Sequence, residues 1–333
     1  MARAQRFAGL RRSATRRAFT ALCLCCVVLP GRPAIADELQ PLRSGIGAED
    51  NLHVVVVSEG FTAAENAAFF AAAAKLIDGV VAADPFAFFA PWWHVDALFV
   101  ASAQGGADHP GSNYWVDTTF DARFGSGGIA RLLTVANGKV IAAVAKNAPT
   151  FDLIIVLVND ATYGGSGGPV SVVSRHPLAI DILRHELGHT FGGLADEYED
   201  ANPSYPVGDD EPNVATAAHL DPLGWAAWVE ATTPIPTPIT LAQDASHPIG
   251  AYEGARYHSQ GFFRPAPSCI MRSLSSPWCA VCSEAMVAAM ADRALRIRSV
   301  SPPPSAKVSC VTGHCPTFTV ESTPHPALAI DWA

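Results

Sequence analysis

Two histidines four residues apart, His185 and His189, bracket a glutamate in the string HELGHTFGGLADEY. On a helix that spacing puts both imidazoles on one face, where they can grip one metal ion. Glu186, between them, stands where a general base toward a water at that metal belongs. The chemistry so proposed is hydrolysis. Two imidazoles do not complete a catalytic zinc site, which usually takes three protein ligands and a water. Gly192 and Gly193, just after the helix, let the chain turn sharply and can swing Asp196 or Glu197 back toward the metal. Asp196 is the preferred third ligand, because a short side chain near the turn has the best reach. Glu197 is the alternative, and Glu211 or Glu230 are more distant options without a motif. The competing reading is a capped surface helix with solvated histidines. It requires metal spacing, base, glycine break and clustered acids to coincide.

HExxHxxG resembles the metzincin pattern, although the next ligand of that pattern would fall on Ala195. About 80 residues past His189, Ser268–Arg272 reads SCIMR, a place for a methionine turn beneath the metal. A lone methionine more often fills core. Tyr252, Tyr257 and His258 are candidates to donate to the oxyanion of a tetrahedral intermediate, and Tyr257 is carried forward as a catalytic candidate. Each is also a reasonable structural residue.

Elements must hold these groups in place. Leu52–Val57 is a β-branched run that predicts a buried strand. Thr62 with Glu65 predicts a capping box opening a helix over Ala63–Val81, which Pro85 stops. Trp92–Ser102 predicts a strand, 104–128 a long loop, Ile129–Lys146 a helix and Asp152–Val158 a strand. The glycine-rich Tyr163–Gly168 turn lacks the Lys-Ser/Thr of a phosphate loop and reads as a connection into an edge strand, Val170–Val173. Leu178–Phe191 is the motif helix, with Leu178, Ile182, Leu183 and Leu187 on its buried face. This alternation predicts an α/β fold: a twisted mixed sheet with the active-site helix packed beneath it, then a loop-rich C-terminal subdomain. Trp225 and Trp228 suggest a short helix, and Cys282–Ile297 a longer one.

Residues 1–36 read as a leader: a basic stretch from Arg3 to Arg17, an apolar run Ala18–Pro30, and the small-x-small Ala34-Ile35-Ala36. Thr15–Phe19 also resembles a twin-arginine signal, so Sec and twin-arginine export stand side by side. The whole chain has 22 basic and 31 acidic residues; seven arginines fall in the leader, leaving 15 against 31 and a formal charge of −16. Such acidity argues against nucleic acid and anionic membranes as partners. The expected organisation is a leader (1–36), a peptidase domain (37–297) and a Pro-rich tail (298–333). The expected product is an exported periplasmic or extracellular monomer with no stable membrane insertion.

Export makes disulfides the expected state of the remaining cysteines. Cys310 and Cys315 can close a small loop, and one bridge is expected among Cys269, Cys279 and Cys282. Cys279-x-x-Cys282 as a structural zinc or redox pair is the lesser reading, with no second CxxC to support it. The acidic surface has no DxDxDG loop for calcium.

HELGHTFGGLADEY, EGARY (253–257), FRPAPSCIMR (263–272) and PWCAVCSEA (277–285) together resemble the bacterial IgA-specific metallopeptidase family. SEGFT (58–62), PFAFF (85–89) and VNDATYGGSGG (158–168) extend the likeness, which covers Leu52 to Met290. The resemblance implies a secreted zinc peptidase with His185 and His189 on Zn2+, Glu186 as base, an acidic third ligand within ADEY, and a protein or peptide substrate. The family name records the substrate of an individual member, and one fold serves many substrates. Two further readings are an exported non-catalytic binding module on the same scaffold and a zinc amidase acting on cell-wall peptides.

Overall fold

The computed structural model describes residues 36–46, 52–200, 211–221, 223–243, 248–274, 276–294, 297–303, 307, 317 and 319–322. The leader up to Ile35, most of the 202–212 loop and the Cys310–Cys315 pair lie outside the described residues.

Strands β1 (Glu38–Arg43), β2 (Leu52–Glu59) and β3 (Trp93–Phe99) alternate with helices α1 (Asn66–Val81) and α2 (Phe86–Phe89). Helix α3 (Asn137–Asn147) leads into β4 (Leu153–Val158), β5 (Gly165–Ser166), β6 (Ser171–Ser174) and the motif helix α4 (Ala179–Thr190). Six strands make one mixed sheet in the order β1-β3-β2-β4-β6-β5. Its four inner strands are parallel, and β1 and β5 run antiparallel at the edges. The strand beside the glycine-rich turn is therefore not the edge: Ser171–Ser174 lies inside, and Gly165–Ser166 of the turn itself closes the sheet.

The parallel strands are apolar on both faces because both are covered. In β2, Val54 and Val56 face the core holding α1 and α4, while Val55 and Val57 face the core holding α3. All four valines are fully buried, each worth about 1.5–3 kcal/mol over an exposed side chain. The Thr62–Glu65 capping box is present, with the Thr62 amide donating to Glu65 Oε2 at 2.8 Å. Helix α3 begins at Asn137, eight residues after the predicted start at Ile129. The residues before it are spent on cross-chain pairing instead, Thr134 with Arg123 and Leu132 with Gly165.

The rest is loop-rich, as expected. Strands β7 (Ala215–Thr216), β8 (Tyr252–Ala255) and β9 (His258–Arg264) form a small antiparallel sheet, and α5 (Ala280–Ala294) packs into the same core as α4. Trp225 precedes a single 3₁₀ turn, Ala226–Trp228. The tail segment carries a two-stranded ribbon, β10 (Ile297–Ser301) with β11 (Thr319–Ser322).

Candidate metal centre

Helix α4 lies between the sheet and the turn Cys269–Arg272. Gly188, one residue before His189, is packed so tightly on that turn that an added Cβ would sit 2.5 Å from Met271 Sδ. Just past the helix, Gly193 takes φ +63, a conformation L side chains rarely adopt, and the chain doubles back. The reversal brings Asp196 over the two imidazoles.

His185 Nδ1 lies 3.0 Å from the Ile270 carbonyl and His189 Nδ1 lies 2.7 Å from the Leu194 carbonyl. A carbonyl only accepts, so each Nδ1 carries a proton and Nε2 is the nitrogen left to face a metal. The two Nε2 atoms are 3.2 Å apart, and Asp196 Oδ1 lies 3.1 Å and 3.4 Å from them. That oxygen is buried and receives no hydrogen bond. Three electron-rich atoms facing one another across so short a gap call for a cation between them. Two imidazoles and a carboxylate suit a borderline divalent ion such as zinc. The same demand shows in the protonation of these groups. Burial alone would lower the pKa of His189, yet the Asp196 carboxylate beside it holds it up at about 9. Burial would raise Asp196, but the two imidazoles facing it hold it far below the ordinary carboxylate range.

The Asp196 carboxylate is held from behind. Tyr198 Oη donates to Oδ2 at 3.1 Å, Tyr257 Oη donates to the same oxygen, and Arg131 donates to Tyr198 Oη at 2.9 Å. Burial, with the Asp196 charge adding to it, keeps both phenols protonated. Tyr257 arrives there by an unusual backbone. Arg256 and Tyr257 form the two-residue turn between β8 and β9, both with positive φ (51 and 67). Each non-glycine residue so placed costs roughly 1–2 kcal/mol. The tip offsets this by pairing with the Asp196 segment: Arg256 N donates to Asp196 O and Tyr257 N to Tyr198 O, both at 2.9 Å.

The Glu186 carboxylate lies against the backbone of Gly165 and Gly167. Among the described residues nothing donates a hydrogen bond to it, so both oxygens remain available. Burial raises its pKa, and the two imidazoles oppose that shift.

Other candidates are elsewhere. Glu211 is paired with the Arg256 guanidinium at 2.7 Å, and Glu230 is exposed. Tyr252 is fully buried, and the His258 ring stacks on Phe262. Glu197, the alternative third ligand, turns away from the imidazoles and joins Cys269, Cys279 and Cys282 in a second cluster. Those cysteines are free thiols, so the bridge expected among them is not formed. A third group, His53, His94 and Asp96, stands at the starts of β2 and β3, and His53 and Asp96 already satisfy each other at 2.8 Å. A separate open hollow of about 640 Å³ beside Gly192, Trp225 and Glu284 is lined by none of His185, Glu186 and His189.

A family model described as IgA Peptidase M64 matches residues 41–244 and 239–290. The chain belongs to that family. The comparison with curated proteins gives no match. M64 peptidases are metallopeptidases, and the matched stretch contains the whole His185–His189–Asp196 cluster. In this M64 peptidase two residues that the sequence did not single out also stand behind Asp196. Tyr198 sits inside the ADEY string, where spacing from Asp196 was the available signal. Arg131 is 67 residues away from Tyr198 and had no local signal.

Proposed function

We propose that this peptidase is an exported, zinc-dependent endopeptidase whose metal is held by His185, His189 and Asp196, with Glu186 as general base. The observation that carries the reading is the convergence of two Nε2 atoms and an unsatisfied carboxylate oxygen beside an unengaged glutamate. Zinc bound there supplies a Lewis acid that polarises the scissile carbonyl and acidifies water. Glu186 takes a proton from the attacking water and delivers it to the leaving amine, and burial poises it for that exchange. Tyr198 and Tyr257 orient Asp196, so Tyr257 serves the site by positioning a ligand; donating to an oxyanion would require it to leave Oδ2. Met271 beneath Gly188 supports a metzincin-like floor, with an aspartate in the third-ligand role. The arginine-rich leader supports export, by the Sec or the twin-arginine route, to a periplasmic or extracellular destination.

The test uses the purified full chain on a panel of folded proteins, peptides and cell-wall fragments, with and without chelator. The expected result is peptide-bond cleavage abolished by chelator and restored by Zn2+. Cleavage that survives complete metal removal, or cleavage confined to cell-wall amides, would overturn it.

A further inference from the structure

Glu197 is fully buried, and its Oε2 has no hydrogen-bond partner. Around it are three cysteines from two places in the chain: Cys269 from the turn under the motif helix, and Cys279 and Cys282 from the start of α5. One carboxylate oxygen and the three Sγ atoms all lie within 4.8 Å of one another. Cys282 Sγ is 3.1 Å from Glu197 Oε1. The sulfurs also accept backbone amides, Cys279 N to Cys269 Sγ and Cys282 N to Cys279 Sγ, each at 3.4 Å. Amides aimed at sulfur favour thiolate over thiol.

We propose that Glu197, Cys269, Cys279 and Cys282 form a second, closed site for a divalent metal, with zinc as its occupant. Three thiolates and a carboxylate supply four donors of the kind and number that a structural zinc takes. Binding sends the protons still held by the thiols to solvent and leaves two net negative charges at the site. Arginines stand ready to offset them. Arg272 Nη1 donates to the Glu197 carbonyl at 2.6 Å, and the buried Arg264, its Nε unpartnered, acts on Glu197 by its charge. A disulfide would use only two of the three sulfurs. It would leave the third thiol outside the bond and the Glu197 Oε2 oxygen still without a partner in the core.

The location gives the site a task. The turn 269–272 supplies Cys269 to the cluster, the Ile270 carbonyl to His185 and the Met271 side chain to Gly188; its Met271 carbonyl accepts from Glu197 N at 2.8 Å. Asn213, itself fully buried, donates to Glu197 Oε1 and to the Ala195 carbonyl, and accepts from Ala195 N. A metal on the cysteines therefore pins both chain segments that aim His185 and Asp196. The two sites meet in one dipeptide, Asp196-Glu197, with one side chain committed to each.

The inference does not rest on the proposed catalysis, and its test is metal content. Full-length protein purified with Zn2+ in the medium is expected to hold two zinc ions per chain by mass spectrometry of metals. The variant His185→Ala/His189→Ala is expected to keep one. Co2+ exchanged into that variant should give the intense near-ultraviolet charge-transfer band of thiolate–cobalt bonds. In the unaltered protein, thiol titration in denaturant without reductant should find Cys269, Cys279 and Cys282 reactive only as zinc is released. A double-histidine variant without metal, a cobalt spectrum without the thiolate band, or a Cys279–Cys282 disulfide in the metal-loaded protein would each overturn the proposal. Loss of cleavage with two zinc ions still bound would count against the catalytic reading alone.

Discussion

Adjacent residues, Asp196 and Glu197, serve two clusters of opposite character. The first gathers two imidazoles and a carboxylate, partly open to solvent, with the free carboxylate of Glu186 beside it. The second is closed: all four of its residues are buried and already contact one another. Openness is what catalysis needs, because water and a scissile bond must reach the metal; closure is what a structural site needs. The difference teaches that neighbouring acids in a motif need not be rivals for one metal. The chain reversal at Gly193 places both, and the side chains diverge.

Perturbing each cluster should give different kinds of loss. The largest effect is expected from Glu186→Ala, a fall in kcat of about 10²–10⁴-fold with metal content and Tm unchanged. If that variant, freed of host peptidases, cleaves like the parent, the open cluster is not working as proposed. Next, Asp196→Ala and Glu197→Ala should separate cleanly. Asp196→Ala strips the open site and activity while leaving the fold. Glu197→Ala should destabilise by about 3 kcal/mol, because it removes one of the closed site's four donors and leaves the buried Arg264 charge without that carboxylate, lowering Tm by roughly 6–12 °C. Equal Tm losses in calorimetry would erase the distinction between the two sites.

How far the chain announced this arrangement depends on sequence distance. The imidazole pair, Glu186 and the break at Gly193 are local, so spacing alone placed them, and Asp196 followed from its reach. The parallel strands were legible because Val54–Val57 and Leu153–Val158 are apolar on both faces. The cysteine cluster was not, since Cys269 joins Glu197 across more than 70 residues and a single CxxC carries little information. Arg131 and Asn213 were hidden for the same reason. The start of α3 was misplaced because propensity saw a helix where pairing of Leu132 and Thr134 with distant residues prevails. Local chemistry shows in the sequence; what supports it from a distance does not.

Proton dependence sharpens the contrast. In protein stripped at the open site, His189 is held up at about 9, against 6.5 for the free group. A raised imidazole pKa contributes stability that is complete below about 6.5 and lost as pH rises through about 9. Asp196, held low, contributes above its ordinary 3.8 and loses that contribution in acid. Stripped protein should therefore lose Tm between pH 6.5 and 9. Zinc must displace the His189 proton, so affinity at the open site should instead rise about tenfold per pH unit over that range. Parallel pH trends for stripped and loaded protein would contradict the assignment of that imidazole.

The smallest expected effect is that of Tyr257→Phe. Tyr198 still donates to Asp196 Oδ2 in that variant, with Arg131 behind it, so the carboxylate loses one of its two phenolic supports. Groups that orient a metal ligand typically account for 10–100-fold in metal affinity, and a half-supported ligand belongs at the lower end, about tenfold. Activity measured at saturating zinc should then be largely recovered, because the phenol acts through Asp196. A kcat deficit that excess zinc does not relieve would move Tyr257 from holding the ligand to touching the reacting atoms. The closed cluster should be untouched in either case, and the thiolate–cobalt band is the readout that says so.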